Sequence, residues 1–381
     1  MTICYFSAQY LPTVGGVERY TWNLAQKTAA AGHRAIVVTS ALPGLPARET
    51  DPDGITILRL PVWPVMNGRF PVLRPGREFS ALSRALWEEK IDFCVIQTRM
   101  YVQSVWAARE AHRRGIPALV IDHSTGYMPM GGGVLGAAGR LYEQLACRMV
   151  RSTGVPFYGV SAAACRWLKT FGITAAGTMP NAVDPESLHA EIHAPDAVNW
   201  REQFSLGDKK IVAFAGRLIP EKGALLLAQA VAKLPNTVLL AAGSGPDQAE
   251  LEALGAIPLG ALPHDQVVQL LAQADVYCLP TRYAEGFPTT LLEAAACGCP
   301  IVCTATAGTE ELLPGPEYGT VLPGSPADLT AEQLRAALSD VLNDPDGAHT
   351  RAQAAYRNLC GHFTWDAVFA KIMEIIKEKG C

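Results

Sequence analysis

Two basic residues and two spaced glutamates carry most of the chemistry legible in this chain. Arg217 and Lys222 lie in the run Gly216-Arg217-Leu218-Ile219-Pro220-Glu221-Lys222-Gly223, and Glu285-Gly286-Phe287 leads on to Glu293 with seven residues between the acids. A guanidinium fork beside an ammonium suits a diphosphate, first as a clamp and then as a stabiliser of charge growing on a departing phosphate oxygen. Carboxylates are strong acceptors for paired hydroxyls, Glu285 for those of a sugar and Glu293 for those of a ribose. Cations followed by spaced carboxylates point to a nucleotide-sugar site. Taken separately, the cations also fit a solvated basic loop and the glutamates two unrelated surface acids.

The positioning elements can be read from the flanking residues. Residues 211–215 are apolar and closed by Gly216, as expected of a buried parallel strand, and residues 224–234 have helical spacing. Both cations therefore sit on a strand-to-helix loop at the carboxyl end of a strand, where ligands collect in open α/β sheets. Residues 276–280 read as another strand and 289–297 as a helix closed by Gly298. Glu285 then lies in a loop and Glu293 in the following helix, with Gly286, Gly298 and Pro300 fixing the loop and the helix end.

Together with further motifs in the same order, these residues resemble glycosyltransferase family 4, of the GT-B fold, over nearly the whole chain. Residues 3–6 read as a first strand, and Pro12-Thr13-Val14-Gly15-Gly16-Val17-Glu18 matches the family's glycine-rich turn before its first helix. Glycines let backbone amides approach a diphosphate, and the helix start adds its positive end. A Gly-Gly pair alone is more often a tight loop. Leu119-Val120-Ile121-Asp122-His123-Ser124 resembles the strand end bearing the family's active-site histidine, and Val160-Ser161 and Pro180-Asn181-Ala182-Val183-Asp184 resemble two markers near the domain junction. A lone histidine after an apolar strand also fits a structural role.

The resemblance implies that His123 contacts the donor sugar, Arg217 and Lys222 the diphosphate, Glu285 the sugar hydroxyls and Glu293 the ribose. Gly15 and Gly16 would offer amides to the phosphates, and Gly286, Phe287 and Thr289 would complete the donor site. One departure is Pro288, where the family often has Gly; proline has no backbone donor, so only the Phe287 and Thr289 amides remain there. The implied reaction is a retaining, metal-independent transfer from a nucleotide-diphosphate sugar, by family preference a UDP-sugar. The implied acceptor is a glycan or polyisoprenyl-linked species in envelope or capsule polysaccharide synthesis. No cofactor is expected, since the nucleotide-sugar is a substrate.

The expected fold is α/β, two Rossmann-like doubly wound domains facing a central cleft, because 381 residues exceed what one core usually organises. Residues 1–184 would form an acceptor-binding domain and 185–362 the nucleotide-sugar-binding domain, with a helix in 363–381 crossing back to the first. Residues 184–210 read as the passage between them. Two other classes compete: a catalytically silent nucleotide-sugar or polysaccharide-binding protein, and an NAD-dependent dehydrogenase. The latter rests on Gly131-Gly132-Gly133-Val134-Leu135-Gly136, a G-x-G-x-x-G match whose preceding strand ends too far away, near His123. Asp51-Pro52-Asp53 matches the metal-binding D-x-D of GT-A transferases but follows Arg-Glu-Thr rather than an apolar strand, and reads as a turn.

Composition is globular, 49% apolar and 18% charged. No apolar stretch reaches the roughly 18 residues of a membrane span, and the first residues enter a strand without a leader pattern. The expected location is cytoplasmic, peripheral at most on an inner membrane. Ten cysteines include Cys4, Cys94, Cys278 and Cys303 in apolar strands, which read as reduced buried thiols. A metal set of Cys297, Cys299 and Cys303 is opposed by the core-strand character of residues 300–302. Residues 1–180 hold 19 Lys and Arg against 11 Asp and Glu, a charge of +8, while the remainder carries −12. In the basic part, Arg69, Arg74, Arg77 and Arg84 interleave with Trp63, Phe70 and prolines. Arg69, Arg74, Arg77 and the later Arg99 are candidates to meet an acceptor or an anionic membrane surface, against the alternative of a basic loop packed by its aromatics. No nucleic-acid module accompanies the charge.

Overall fold

A computed structural model describes residues 1–13, 15–66, 68–128, 133–283 and 287–380. The chain divides into two compact units, unit 1 of Met1–Asn181 with Trp365–Cys381, and unit 2 of Ala182–Thr364.

Unit 1 begins β1 (Thr2–Phe6), α1 (Gly16–Ala30), β2 (Arg34–Ser40), β3 (Arg48–Thr50), β4 (Thr56–Leu60), β5 (Val62–Val65), β6 (Phe70–Leu73) and α2 (Arg77–Glu88). It continues β7 (Phe93–Gln97), α3 (Val102–Arg114), β8 (Ala118–Asp122), α4 (Gly133–Arg151), β9 (Phe157–Gly159), α5 (Ala162–Leu168) and β10 (Gly177–Thr178). Eight strands form a sheet in the order β10-β9-β8-β7-β1-β2-β4-β3, parallel except for β3, while β5 and β6 make a separate antiparallel hairpin. The central strands β1 and β7 are buried along nearly their whole length, which is why they read as unbroken apolar runs rather than as alternating ones.

Unit 2 begins α6 (Pro185–Ile192), α7 (Trp200–Gln203), β11 (Lys210–Ala215), α8 (Ala224–Val231), β12 (Thr237–Ala242), α9 (Gln248–Ala253), β13 (Ile257–Gly260) and α10 (His264–Gln273). After these come β14 (Val276–Leu279), α11 (Thr289–Ala296), β15 (Ile301–Thr304), α12 (Thr309–Leu312), β16 (Thr320–Leu322), α13 (Ala331–Asn343) and α14 (Pro345–His362). The sheet is fully parallel, ordered β13-β12-β11-β14-β15-β16. The segment 184–210, expected as a passage between domains, is folded within unit 2. Leu188 and Trp200 are buried in its core, and Gln269 and Gln273 of α10 tie down the intervening loop through Val198 and Trp200.

The final helix, α15 (Trp365–Glu378), belongs to unit 1. Trp365 packs edge-on against Tyr20 of α1 at 5.1 Å, Asp366 pairs with Lys27 at 2.8 Å, and Lys371 donates to the Thr178 carbonyl at 2.8 Å.

Each sheet reverses its winding direction beside its first strand, between β1 and β7 in unit 1 and between β11 and β14 in unit 2. The carboxyl ends of those pairs are the places where a doubly wound sheet presents loops to a ligand.

Candidate functional site

In unit 2 the loop after β11 is tied to its neighbours through the backbone. Gly216 N–H donates to Ala242 O at 2.9 Å, Leu218 N–H to Ser244 O at 3.0 Å, and Asp247 N–H returns to Leu218 O at 3.2 Å. On the other side Arg282 N–H donates to Glu221 O at 2.7 Å, and Thr304 Oγ1 donates to Thr281 O at 2.7 Å. Gly223 lies at φ 74, and a side chain there would overlap the Pro280 carbonyl. The loop carrying Arg217 and Lys222 is thus clamped between the loops after β12 and β14, so the cations start from a fixed backbone.

Tyr283, after β14, joins the two cations. Its hydroxyl lies 3.4 Å from Arg217 Nη2 and its ring centroid 5.6 Å from Lys222 Nζ. Among the described residues Arg217 meets no carboxylate, and it is exposed, while Lys222 is half-buried. Two positive groups held within reach of one phenol at the switch point can accept an anion with two phosphates.

Glu293 sits in the second turn of α11, nearly buried, with Oε1 at 3.5 Å from His264 Nε2; His264 Nδ1 is 3.3 Å from Glu191 Oε2 on α6. Thr289 opens α11 and is exposed, and Pro288 is its N-cap. The Phe287 ring is committed to the core, against Phe363 at 5.7 Å, and a side chain at Gly308 would overlap it. Any ligand contact from Phe287 is therefore made by its backbone. Glu285 and Gly286 lie outside the described residues.

In unit 1, His123 follows β8. Its Nε2 is 2.8 Å from Gln97 Oε1 at the end of β7, and its ring meets Tyr20 of α1 edge-on at 4.8 Å. With the Gln97 carbonyl oxygen as acceptor, the proton sits on Nε2 and Nδ1 is left as an acceptor. Burial pushes the imidazole pKa down to about 3, so His123 is neutral at physiological pH. Because the folded value lies below the unfolded one, the unfolded chain takes up the proton first. The stability this residue supplies is whole above about pH 6.5 and is lost as pH falls towards the folded value. By NMR the His123 ring signals are expected to stay unshifted between about pH 5 and 8; a midpoint near the ordinary histidine value would contradict this.

Gly15 caps α1 in extended conformation and Gly16 begins the helix. The Glu18 carboxylate folds back onto Gly15, where a Cβ would overlap it, and burial raises the Glu18 pKa. A side chain at Gly16 would meet nothing within 4 Å.

Residues 14–187 match the model described as Glycosyltransferase Family 4, and residues 197–358 match that of Glycosyl transferases group 1. The chain belongs to glycosyltransferase family 4. Over 232 residues it is 30% identical to the GDP-mannose-dependent alpha-(1-6)-phosphatidylinositol monomannoside mannosyltransferase of Mycolicibacterium smegmatis, spanning 55% of this chain and 59% of that protein. It is 26% identical to glycogen synthase of Mycobacterium tuberculosis, spanning 97% of this chain and 92% of that one. The crystal structure of Anabaena HepE in complex with UDP superposes with a TM-score of 0.72 at 18% identity, covering 99% of this chain and 100% of the other. The fold is GT-B, with two Rossmann-like units.

For this family 4 chain one expected surface residue needs correction. Arg99, read as an acceptor or membrane contact, is fully buried. Its Nη1 donates to Asp122 Oδ1 and Oδ2 at 2.9 and 2.7 Å and also reaches Ser124 Oγ; its Nη2 donates to Glu143 Oε2 at 2.8 Å, and its guanidinium lies 4.3 Å from the Phe171 ring centroid. Two buried carboxylates require a buried cation. Arg69, Arg74 and Arg77 are exposed, Arg74 pairing with Glu78 at 3.2 Å.

Asp51-Pro52-Asp53 is a turn, in which Asp51 Oδ1 accepts from the amides of Asp53 and Ile55. Gly131 and Gly132 lie outside the described residues, and Gly136 is buried on α4.

Tyr283, in a loop, and His264, the first residue of α10, were missed by motif reading, because a lone Tyr or His carries no spacing signal; the one available hint was their place shortly after a strand. Gly243 was also missed. It sits at φ 139, and an added Cβ would overlap the Gly216 carbonyl oxygen, backbone against backbone. Gly243→Ala is expected to destabilise unit 2 by about 2 kcal/mol, read as a lower denaturation midpoint. An unchanged midpoint would show that these two loops are not locked together.

Proposed function

We propose that this glycosyltransferase moves a sugar, with retention of anomeric configuration, from a UDP-sugar held by unit 2 to a hydroxyl of a glycan or polyisoprenyl-linked acceptor bound by unit 1. The observation that carries the reading is the convergence of Arg217 and Lys222 on Tyr283 at the β11/β14 switch point.

In this reading Arg217 grips the diphosphate through its fork and Lys222 adds a point charge, and both stabilise the charge left on the phosphate as the sugar departs. The acceptor hydroxyl attacks the same face of the sugar as the bond to the phosphate breaks, and its proton passes to the departing phosphate oxygen. Two cations perform the neutralisation a divalent metal supplies in other transferases, so the reaction proceeds in EDTA. Glu293 Oε1 faces His264, leaving Oε2 to accept from the ribose hydroxyls. The amides of Gly15, Gly16 and Thr289 and the residues Glu285 and Gly286 complete the donor contacts. His123, neutral, hydrogen-bonds the donor sugar rather than acting as an acid.

HepE was solved with UDP, and the mycobacterial mannosyltransferase depends by name on GDP-mannose, so both bases belong in the test. The named relatives act on phosphatidylinositol mannoside and glycogen, which fits a lipid-borne or polymeric acceptor of the envelope or capsule type. Exposed Arg69, Arg74 and Arg77 would face an anionic membrane or a polyisoprenyl phosphate. Among the described residues no helix is long and apolar enough to cross a membrane, so contact would be peripheral.

The test is incubation with UDP-glucose, UDP-N-acetylglucosamine and GDP-mannose in EDTA, reading released nucleoside diphosphate and product anomer by NMR. An α-linked product from one α-linked donor is expected. An inverted product, or turnover abolished by EDTA and restored by a divalent ion, would overturn the mechanism.

A further inference from the structure

Glu293, the acid placed on the ribose above, shares its surroundings with a second carboxylate. His264, the first residue of α10, stands between the two, with Nε2 at 3.5 Å from Glu293 Oε1 and Nδ1 at 3.3 Å from Glu191 Oε2 on α6. Glu191 Oε2 is buried and has no hydrogen-bond partner. Cys297, the C-cap of α11, feels the same pair of acids: burial pushes its thiol up to about 12, and the charges of Glu293 and Glu191 add to the rise. Two partly buried carboxylates on one ring call for a positive charge there. Among the described residues neither acid pairs with a lysine or an arginine, so the ring is the group that can supply it.

A neutral imidazole carries a proton on one nitrogen and a lone pair on the other. Either tautomer would therefore aim a lone pair at one of the two carboxylates. Only the imidazolium donates towards both. The start of α10 opposes a positive charge, but with roughly half an elementary charge, against two whole carboxylates within 3.5 Å. Of the other groups nearby, Asp265 is exposed on α10, and the one charged side chain of β11, which also packs on α10, is Lys210, paired with Asp275 at 3.0 Å. The ring is 39% exposed, so water can load and unload its proton.

We propose that His264 is a positioning residue for the donor site: as an imidazolium held by Glu191 and Glu293, it keeps the Glu293 carboxylate in the orientation that meets the ribose, and donor affinity falls as the ring loses its proton. The inference rests on the assignment of Glu293 to the ribose. A neutral ring either keeps its proton on Nε2 and abandons Glu191, or turns a lone pair on Glu293 and frees that side chain to move. The flanking carboxylates favour the charged ring in the folded protein, so its contribution is whole at lower pH and is lost as pH rises.

The first readout needs no nucleotide: by NMR of the nucleotide-free protein, both ring nitrogens of His264 are expected to be protonated at about pH 7. The second is calorimetric binding of UDP-glucose and GDP-mannose at about pH 6.5 and 8.5, a range in which neither sugar diphosphate titrates. The wild type is expected to bind its donor about fivefold more weakly at the higher pH, as loss of a partly exposed ion pair implies. His264→Ala should bind weakly at both, and His264→Arg, whose fork keeps a permanent charge, tightly at both. In turnover the loss should fall on KM and leave kcat unchanged. If His264 merely tied α6 to α11, its replacement by Ala would lower the melting temperature and the wild-type affinity would be level across this range. A ring neutral at about pH 7, a level wild-type affinity, or a His264→Arg variant as pH-dependent as the wild type would each overturn the proposal. Glu293→Gln separates it from the ribose assignment. Full affinity in that variant sinks the assignment and this inference with it, whereas weakened binding there beside a level wild-type profile sinks this proposal alone.

Discussion

Replacing Lys222 with Ala lowers turnover by about 10²–10³-fold, the range seen when one preorganised stabiliser of developing charge is removed. Lys222 sits on a loop whose backbone is tied to the loops after β12 and β14, so its ammonium is placed before the donor arrives. Such a group acts on charge that grows in the transition state, and its loss should fall mainly on kcat. Arg217→Lys should instead fall mainly on KM, because a lysine keeps the charge and gives up the two-pronged grip. Steady-state release of nucleoside diphosphate separates the two patterns. Full turnover in Lys222→Ala would mean that the charge on the leaving phosphate is met elsewhere.

The second large effect is on stability. Arg99→Ala leaves the Asp122 and Glu143 carboxylates facing each other without their shared cation, at a cost of about 3–5 kcal/mol to unit 1. For a unit of this size that corresponds to a melting shift of about 10 °C. Even with the arginine in place, burial raises the Glu143 pKa despite the Met128 amide that donates to it at 2.7 Å. The triple change Arg99→Met, Asp122→Asn, Glu143→Gln should recover much of the loss, since removing all the charges together avoids an unpaired one. Differential scanning calorimetry of the single and triple variants decides it. Equal destabilisation in both would mean that the arginine acts by its volume and not by its charge. Asp122 directly precedes His123 and Ser124 directly follows it, so the same guanidinium holds both sides of that histidine.

The helices and strands that place the site were legible because their signals are local. The run 211–215 closed by Gly216 is β11 less one residue, 276–280 contains β14, and Gly298 ends α11 at φ 66. Each needs only a short apolar stretch and a glycine. Arg99 was misread because its meaning is not local: its partners lie 23 and 44 residues further on, and nothing in the flanking sequence tells a buried arginine from a solvated one. The outward apolar row of α4, with Val134, Leu141 and Leu145 exposed, was missed for a related reason. Periodicity shows that a helix has an apolar face and is silent on which face the rest of the fold covers, and residues 131–136 were read only for a glycine-rich match that was set aside because its strand lies too far away. Tyr283 emerged only with the fold, when the loops after β11 and β14 came together at the reversal of the sheet.

The central claim is that unit 2 holds a nucleotide-diphosphate sugar through Arg217 and Lys222, with Glu293 on the ribose. Its most direct test is thermal shift of the wild type, Arg217→Ala and Glu293→Ala with UDP-, GDP- and ADP-sugars in EDTA. The expected result is stabilisation of the wild type by one nucleotide class, about 2.7 kcal/mol at a hundredfold excess over Kd, lost in both variants. No stabilisation by any donor, or stabilisation that survives both substitutions, would contradict it.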